Sequence, residues 1–177
     1  SVASFFVSRV DSAIEALLAA RVQAGSLRAE RAAALAGRAA IANAKLAYRL
    51  AMAAFHGPRW EALVARGARV QRPLWASTST KNPAYRDVMY VEQLIGPSTV
   101  NTLPPATLDA FRDHGETART IDADVDAAVR VLAELEGEGI SLEAVTDQLL
   151  REGLASFAAS FESLLAGLSA KAVAVRA

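Results

Sequence analysis

Side chains able to do chemistry are densest in Arg72-Pro73-Leu74-Trp75-Ala76-Ser77-Thr78-Ser79-Thr80-Lys81-Asn82-Pro83. An apolar run breaks there into four consecutive hydroxyls, one ammonium and a proline turn. Hydroxyls in a row need hydrogen-bond partners wherever they are buried. Converging with backbone N–H groups and a lysine at a strand end, they suit a phosphate, and parallel α/β folds bind ligands at the carboxyl ends of their strands. The same residues also suit a plain polar turn whose Ser and Thr cap the backbone. Arg9, at the end of the opening apolar segment, is a second candidate anion ligand, or else a surface arginine paired with Asp11.

Nucleophiles are scarce. The lysines are Lys45, Lys81 and Lys171, and Lys81 is the one at a strand mouth. A nucleophilic lysine must be desolvated, or sit beside another cation, to be neutral near pH 7. Lys81 lies among hydroxyls and before Asn-Pro, a wet setting that favours a phosphate ligand over a nucleophile. Lys45 falls inside a helical pattern and reads as solvated or snorkelling. His56 reads as a charge partner for a helix end.

Composition narrows the classes. The 177 residues suffice for one sizeable core. Lys+Arg and Asp+Glu both number 19, which argues against bulk binding to nucleic acid or an anionic membrane. With no cysteine and two histidines, disulfides, Cys nucleophiles and Cys- or His-rich metal sites are excluded. No apolar run reaches membrane-spanning length, and no basic-then-apolar signal opens the chain. The expectation is a soluble, cytoplasmic protein with no cofactor, no metal, no nucleic acid and no membrane partner.

The elements that must position these residues follow from pattern. Ser1 to Val10 reads as a strand, rich in β-formers, and the chain starts inside it as though cut. Asp11 is placed to N-cap a helix over Ser12 to Ala24. One long helix is expected from about Leu27 to Phe55, with Leu35, Ala39, Ala42, Leu46, Leu50 and Ala53 on its apolar face. A short helix over Trp60 to Arg66 precedes a second strand, Arg69 to Ala76. Further short helices are expected around Tyr85 to Leu94 and over Thr107 to Arg112, with a third strand from Thr99 to Leu103 between them. Helices over Ala123 to Glu136 and from Ser141 onward complete the chain, Gly153 being a candidate break in the last. Strand and helix alternate, which implies parallel strands with helical crossovers, an α/β class. No Rossmann, P-loop or HExxH pattern occurs.

Four stretches, VASFFVSRVD, AAIANAKLAY, RPLWASTSTKNPAY and YVEQLIGPSTVNTLPPATLDAF followed by DHG, resemble transaldolase in its longer bacterial form, which is sometimes fused to glucose-6-phosphate isomerase. The likeness covers about residues 1–115; the helical tail is similar in kind. The resemblance implies an enzyme of the pentose phosphate pathway. It moves a dihydroxyacetone unit from sedoheptulose 7-phosphate to glyceraldehyde 3-phosphate, giving erythrose 4-phosphate and fructose 6-phosphate. A lysine Schiff base carries the donor, an aspartate and a glutamate move protons through water, and no cofactor is used.

It also implies a (β/α)8 barrel of which residues 1–177 match only strands six to eight, their helices and a C-terminal helical tail. The family's Schiff-base lysine would then lie upstream of Ser1, so no catalytic residue is assigned here. The missing N-terminal half of the barrel becomes an expected partner, and a fused isomerase domain a further one. Ser4 and Arg9 match the family's serine and arginine after strand six, and Ser77 its serine after strand seven. Ser79 stands where the family has a second phosphate arginine, and Lys81 is the nearby cation. The expected phosphate ligands are therefore Ser4, Arg9, Ser77, Ser79 and Lys81. A non-catalytic helical interaction module, or another sugar-phosphate barrel enzyme, are the competing readings.

Overall fold

The computed structural model describes residues 1–176, with side chains as far as Ala172. The chain divides into two compact units, Ser1–Leu142 and Glu143–Ala177. The first holds a three-stranded parallel sheet in the order β1-β2-β3: β1 (Val2–Phe6), β2 (Arg72–Ala76) and β3 (Val100–Asn101). Its helices are α1 (Val7–Gln23), α2 (Ala29–Leu35), α3 (Ala39–Ala54), α4 (Pro58–Val64), α5 (Met89–Glu92), α6 (Pro105–His114) and α7 (Val125–Gly137).

The first strand is shorter than its β-formers suggest. Helix α1 takes over at Val7 because Val7, Val10, Ile14 and Leu18 recur at helical spacing and are all buried. The Ser8 N–H, one of the free donors of the helix start, donates to the carbonyl of Ser77 at 3.1 Å. Asp11 is consequently no N-cap. It lies one turn into α1 and is 2% exposed.

The long helix expected between Leu27 and Phe55 is two helices. Gly37 separates α2 from α3 in the left-handed region, at φ +69°, and a Cβ there would stand 2.7 Å from the Tyr85 ring. The break re-aims the apolar face of α3. Ala40, Ala44 and Tyr48 are buried with Ala39 and Ala42, while Leu50 is exposed.

The sheet has two unlike faces. Register sets Phe5 beside Trp75 and Trp75 beside Asn101. The Phe5 and Trp75 rings are 5.5 Å apart, Trp75 is wholly buried, and α3 packs on β2. The Trp75 Nε1 is buried without a hydrogen-bond partner among the described residues. On the other face, where Ser4 pairs with Leu74 and Leu74 with Val100, Val2 is 41% and Phe6 39% exposed. Parallel sheets are ordinarily covered on both faces; this one is covered on one.

The second unit is α8 (Leu142–Arg176), which runs through Gly153 without a break. Leu150, Leu154, Phe157, Phe161, Leu164 and Leu168 repeat at four and three along it, and all are exposed. Contrary to the sequence expectation, Leu142–Ala172 is long and apolar enough, by length and composition alone, to cross a membrane. Uninterrupted runs miss this because Glu162 stands mid-helix, where a carboxylate at a bilayer centre would cost about 2.5–3.5 kcal/mol.

Candidate phosphate site at the carboxyl ends of the strands

Ser4 sits on β1, exposed on the open face of the sheet. Arg9 is not at a strand end, as expected, but in the first turn of α1. Its guanidinium carbon lies 4.5 Å from the Phe6 ring centroid, a cation–π contact. Asp11 faces inward to other partners, so the alternative of an Arg9–Asp11 surface pair gives way to this stacking.

Ser77 is the first residue past β2, at φ +53°. Because β1 and β2 are parallel and in register from Val2↔Arg72 to Phe6↔Ala76, Ser77 and the start of α1 share one end of the sheet, and the Ser8–Ser77 bond joins them. Thr78 is fully buried and donates to Asn101 Oδ1 at 2.8 Å, tying the same loop to β3. Lys81 Nζ donates to Ser79 Oγ at 2.8 Å. The structure thus joins the expected residues as two local sets, Ser77 with the α1 start that carries Arg9, and Ser79 with Lys81.

Sequence reasoning missed the network beneath this loop. Asp11 Oδ1 accepts the Ala40 N–H at 2.9 Å, and its Oδ2 accepts the Tyr90 hydroxyl at 2.8 Å. One turn on, Glu15 accepts the Tyr85 hydroxyl and, at 3.3 Å, the Asn82 amide. Asp11, Glu15, Asn82, Tyr85 and Tyr90, with Ser12 and Lys81, line a pocket of about 280 Å³. Burial holds the Asp11 carboxyl above its ordinary range, partly offset by the Ala40 and Tyr90 hydrogen bonds. Burial raises both tyrosines as well, reinforced for Tyr85 by its bond to Glu15 and for Tyr90 by the nearby Asp11 charge. The available signal was the i, i+4 spacing of Asp11 and Glu15, which puts both carboxylates on one helix face.

Lys45 also departs from expectation. It is 6% exposed, and its Nζ donates to the Ala123 carbonyl at 2.9 Å. Burial lowers its pKa, opposed by Asp124 and Asp122. It lines a separate pocket of about 250 Å³ with Arg38, Gln93 and Asp124.

The family model for "Transaldolase/Fructose-6-phosphate aldolase" matches residues 1–168. The chain belongs to that family. It is 47% identical to "Transaldolase 2" of Nostoc sp. (strain PCC 7120 / SAG 25.82 / UTEX 2576), over 97% of this chain and 46% of that protein. It is 52% identical to "Transaldolase" of Parafrankia sp. (strain EAN1pec), over 93% and 43%. It is 49% identical to "Transaldolase 1" of Streptomyces coelicolor (strain ATCC BAA-471 / A3(2) / M145), over 96% and 43%. The chain spans about half the length of the curated relatives it matches. The α/β architecture with a parallel sheet agrees with this transaldolase family, a transferase family of carbohydrate metabolism.

Proposed function

We propose that this chain supplies the phosphate-binding side of a transaldolase, as strands six to eight of a (β/α) barrel with their helices and a C-terminal helical tail. The activity is transfer of a dihydroxyacetone unit between sugar phosphates in the cytoplasm, through a lysine Schiff base contributed by residues outside this chain. The observation that carries the reading is the join at the carboxyl ends of β1 and β2. The Ser8–Ser77 bond brings the first turn of α1, with Arg9, to the hydroxyl-rich loop that follows β2. Arg9 and Lys81 supply positive charge and Ser77 and Ser79 supply hydroxyls, with Ser4 on the adjoining sheet face. Charge-assisted contacts of this kind are what bind a phosphate dianion.

The uncovered sheet face supports the barrel assignment. Val2, Ser4, Phe6, Leu74, Ala76 and Val100 share that face, and in a closed barrel it is the one packed inward. β1 and β3 are both edges, where further parallel strands would pair. A second reading, a helical interaction module, draws on the exposed apolar stripe of α8.

Co-expression with the portion of the Nostoc relative that this chain does not match separates the two. The barrel reading expects a purified complex that transfers dihydroxyacetone between fructose 6-phosphate and erythrose 4-phosphate. A complex without that activity favours the interaction module.

A further inference from the structure

Glu15 sits outside the set of expected phosphate ligands, yet it holds the loop that carries two of them. We propose that Glu15 is a positioning residue: through Asn82 and Tyr85 it fixes the segment bearing Ser79 and Lys81, and thereby sets how well that segment binds phosphate. This rests on the phosphate-site reading above.

The loop is anchored to α1 at both ends. At its start, the Ser77 carbonyl accepts the Ser8 N–H. At its far end, Glu15 accepts the Tyr85 hydroxyl with one oxygen and the Asn82 amide with the other. Asn82 then turns its own Oδ1 onto the Ala84 N–H at 3.0 Å, a side-chain turn that stiffens the segment. The Tyr85 ring occupies the space that Gly37 leaves by having no Cβ. Two points of attachment to one helix therefore bracket residues 78–84, and the same helix carries Arg9 in its first turn. Arg9 and Lys81 are held by a shared rigid element, as preorganised recognition of one anion requires.

Two physical effects of Glu15 have opposite signs, which makes the role testable. Glu15 lines the same pocket as Lys81, so as a bare charge it opposes binding of an anion, and its removal would tighten phosphate binding. As an anchor it favours binding, and its removal would weaken it.

The test is titration of inorganic phosphate into the complex of this chain with the unmatched portion of the Nostoc relative, followed by calorimetry, with melting temperatures recorded for each variant. Glu15→Ala is expected to weaken binding roughly 3- to 10-fold, less than the roughly 10- to 150-fold loss of a charge-assisted contact itself. Glu15→Gln, which keeps one acceptor, should fall between, and Tyr85→Phe should act in the same direction. In a Lys81→Ala background Glu15→Ala should add a smaller loss than it causes alone, because only Ser79 is then left for it to position. Unchanged or tighter binding in Glu15→Ala, while Arg9→Ala still weakens it, overturns the positioning role and leaves the phosphate site standing. An equal further loss in the Lys81→Ala background also overturns it, as a general structural effect. No phosphate binding by the complex of the unaltered chain overturns both.

Discussion

The amide of Ser8 and the carbonyl of Ser77 are 3.1 Å apart, and that one bond joins two places the sequence left separate. It closes the first turn of α1 onto the end of β2. Arg9 follows directly on one side and the hydroxyl loop on the other.

In the assembled enzyme, Arg9→Ala or Lys81→Ala should therefore raise KM for sugar phosphates far more than for unphosphorylated analogues. Loss of one charge-assisted contact costs about 1.5–3 kcal/mol, or about 10- to 150-fold. Ser77→Ala should act in the same direction with about 0.5–1.5 kcal/mol, as befits a neutral hydrogen bond. Steady-state kinetics on both substrate classes measures the split, and equal effects on the two would remove these residues from the phosphate site.

Asp11→Ala should be among the most damaging substitutions outside the apolar core. It leaves the Ala40 N–H and the Tyr90 hydroxyl without their partner, at residues each 2% exposed. Buried groups left unpaired cost about 1–3 kcal/mol each, so a loss of about 2–6 kcal/mol is expected in denaturant titration. The pH dependence has a definite sign. Burial raises the folded pKa of Asp11 above 3.8, so the folded state keeps its proton longer than the unfolded one. Stability from this group falls as pH rises from 3.8 through the raised folded value and is level above it. Asp11→Asn should abolish that fall; a slope unchanged in the amide variant would assign it elsewhere.

His114 works on a different window. Its Nε2 lies 2.9 Å from Asp87 and its Nδ1 3.1 Å from Asp113, and these carboxylates, Asp87 foremost, raise its pKa above 6.5. Protonation is thus favoured in the folded state. The contribution is fully present below pH 6.5 and is lost as pH rises through the folded value. Melting curves on either side of that window should show the decline, and Asp87→Asn should flatten it. An undiminished decline in Asp87→Asn would place its origin in another group.

The open sheet face and the stripe along α8 carry a prediction about assembly. Val2 and Phe6 on the sheet, and Phe157, Phe161 and Leu164 on α8, are all exposed in their own units. Exposed apolar surface of this kind drives association. Sedimentation of the chain by itself should give a species heavier than an 18.6 kDa monomer, and addition of the complementary portion of a relative should replace it with a one-to-one complex. A cooperative, monomeric chain would show that its apolar faces need no cover.

How much was legible beforehand differs by scale. The alternation of strand and helix was enough for a parallel α/β sheet, because each segment's period reports its own local structure. Boundaries failed where tertiary contacts decided them. The β-formers Val7 and Val10 became helical once their spacing buried them with Ile14 and Leu18, and Gly37 broke a helix whose apolar pattern ran straight through it. Ser77 could be nominated from residue type, since hydroxyls just past a strand have few uses, whereas Arg9 was nominated as a strand-end cation and lies in the first turn of α1. The Glu15–Tyr85 and Asp11–Tyr90 pairs could not, because about seventy or more residues separate the partners and nothing local ties them. Lys45 misled for a related reason. Its burial comes from α7 and the residues just before it, far along the chain.

The most direct measurement is borohydride trapping with fructose 6-phosphate in the complex of this chain and the unmatched portion of the Nostoc relative, with the modified lysine mapped by mass spectrometry. The phosphate-side assignment predicts that the label falls on a lysine of the added portion, with Lys45, Lys81 and Lys171 all unmodified. Label on Lys81, or on the buried Lys45 whose pKa burial already lowers, would place the Schiff base within this chain and contradict the assignment.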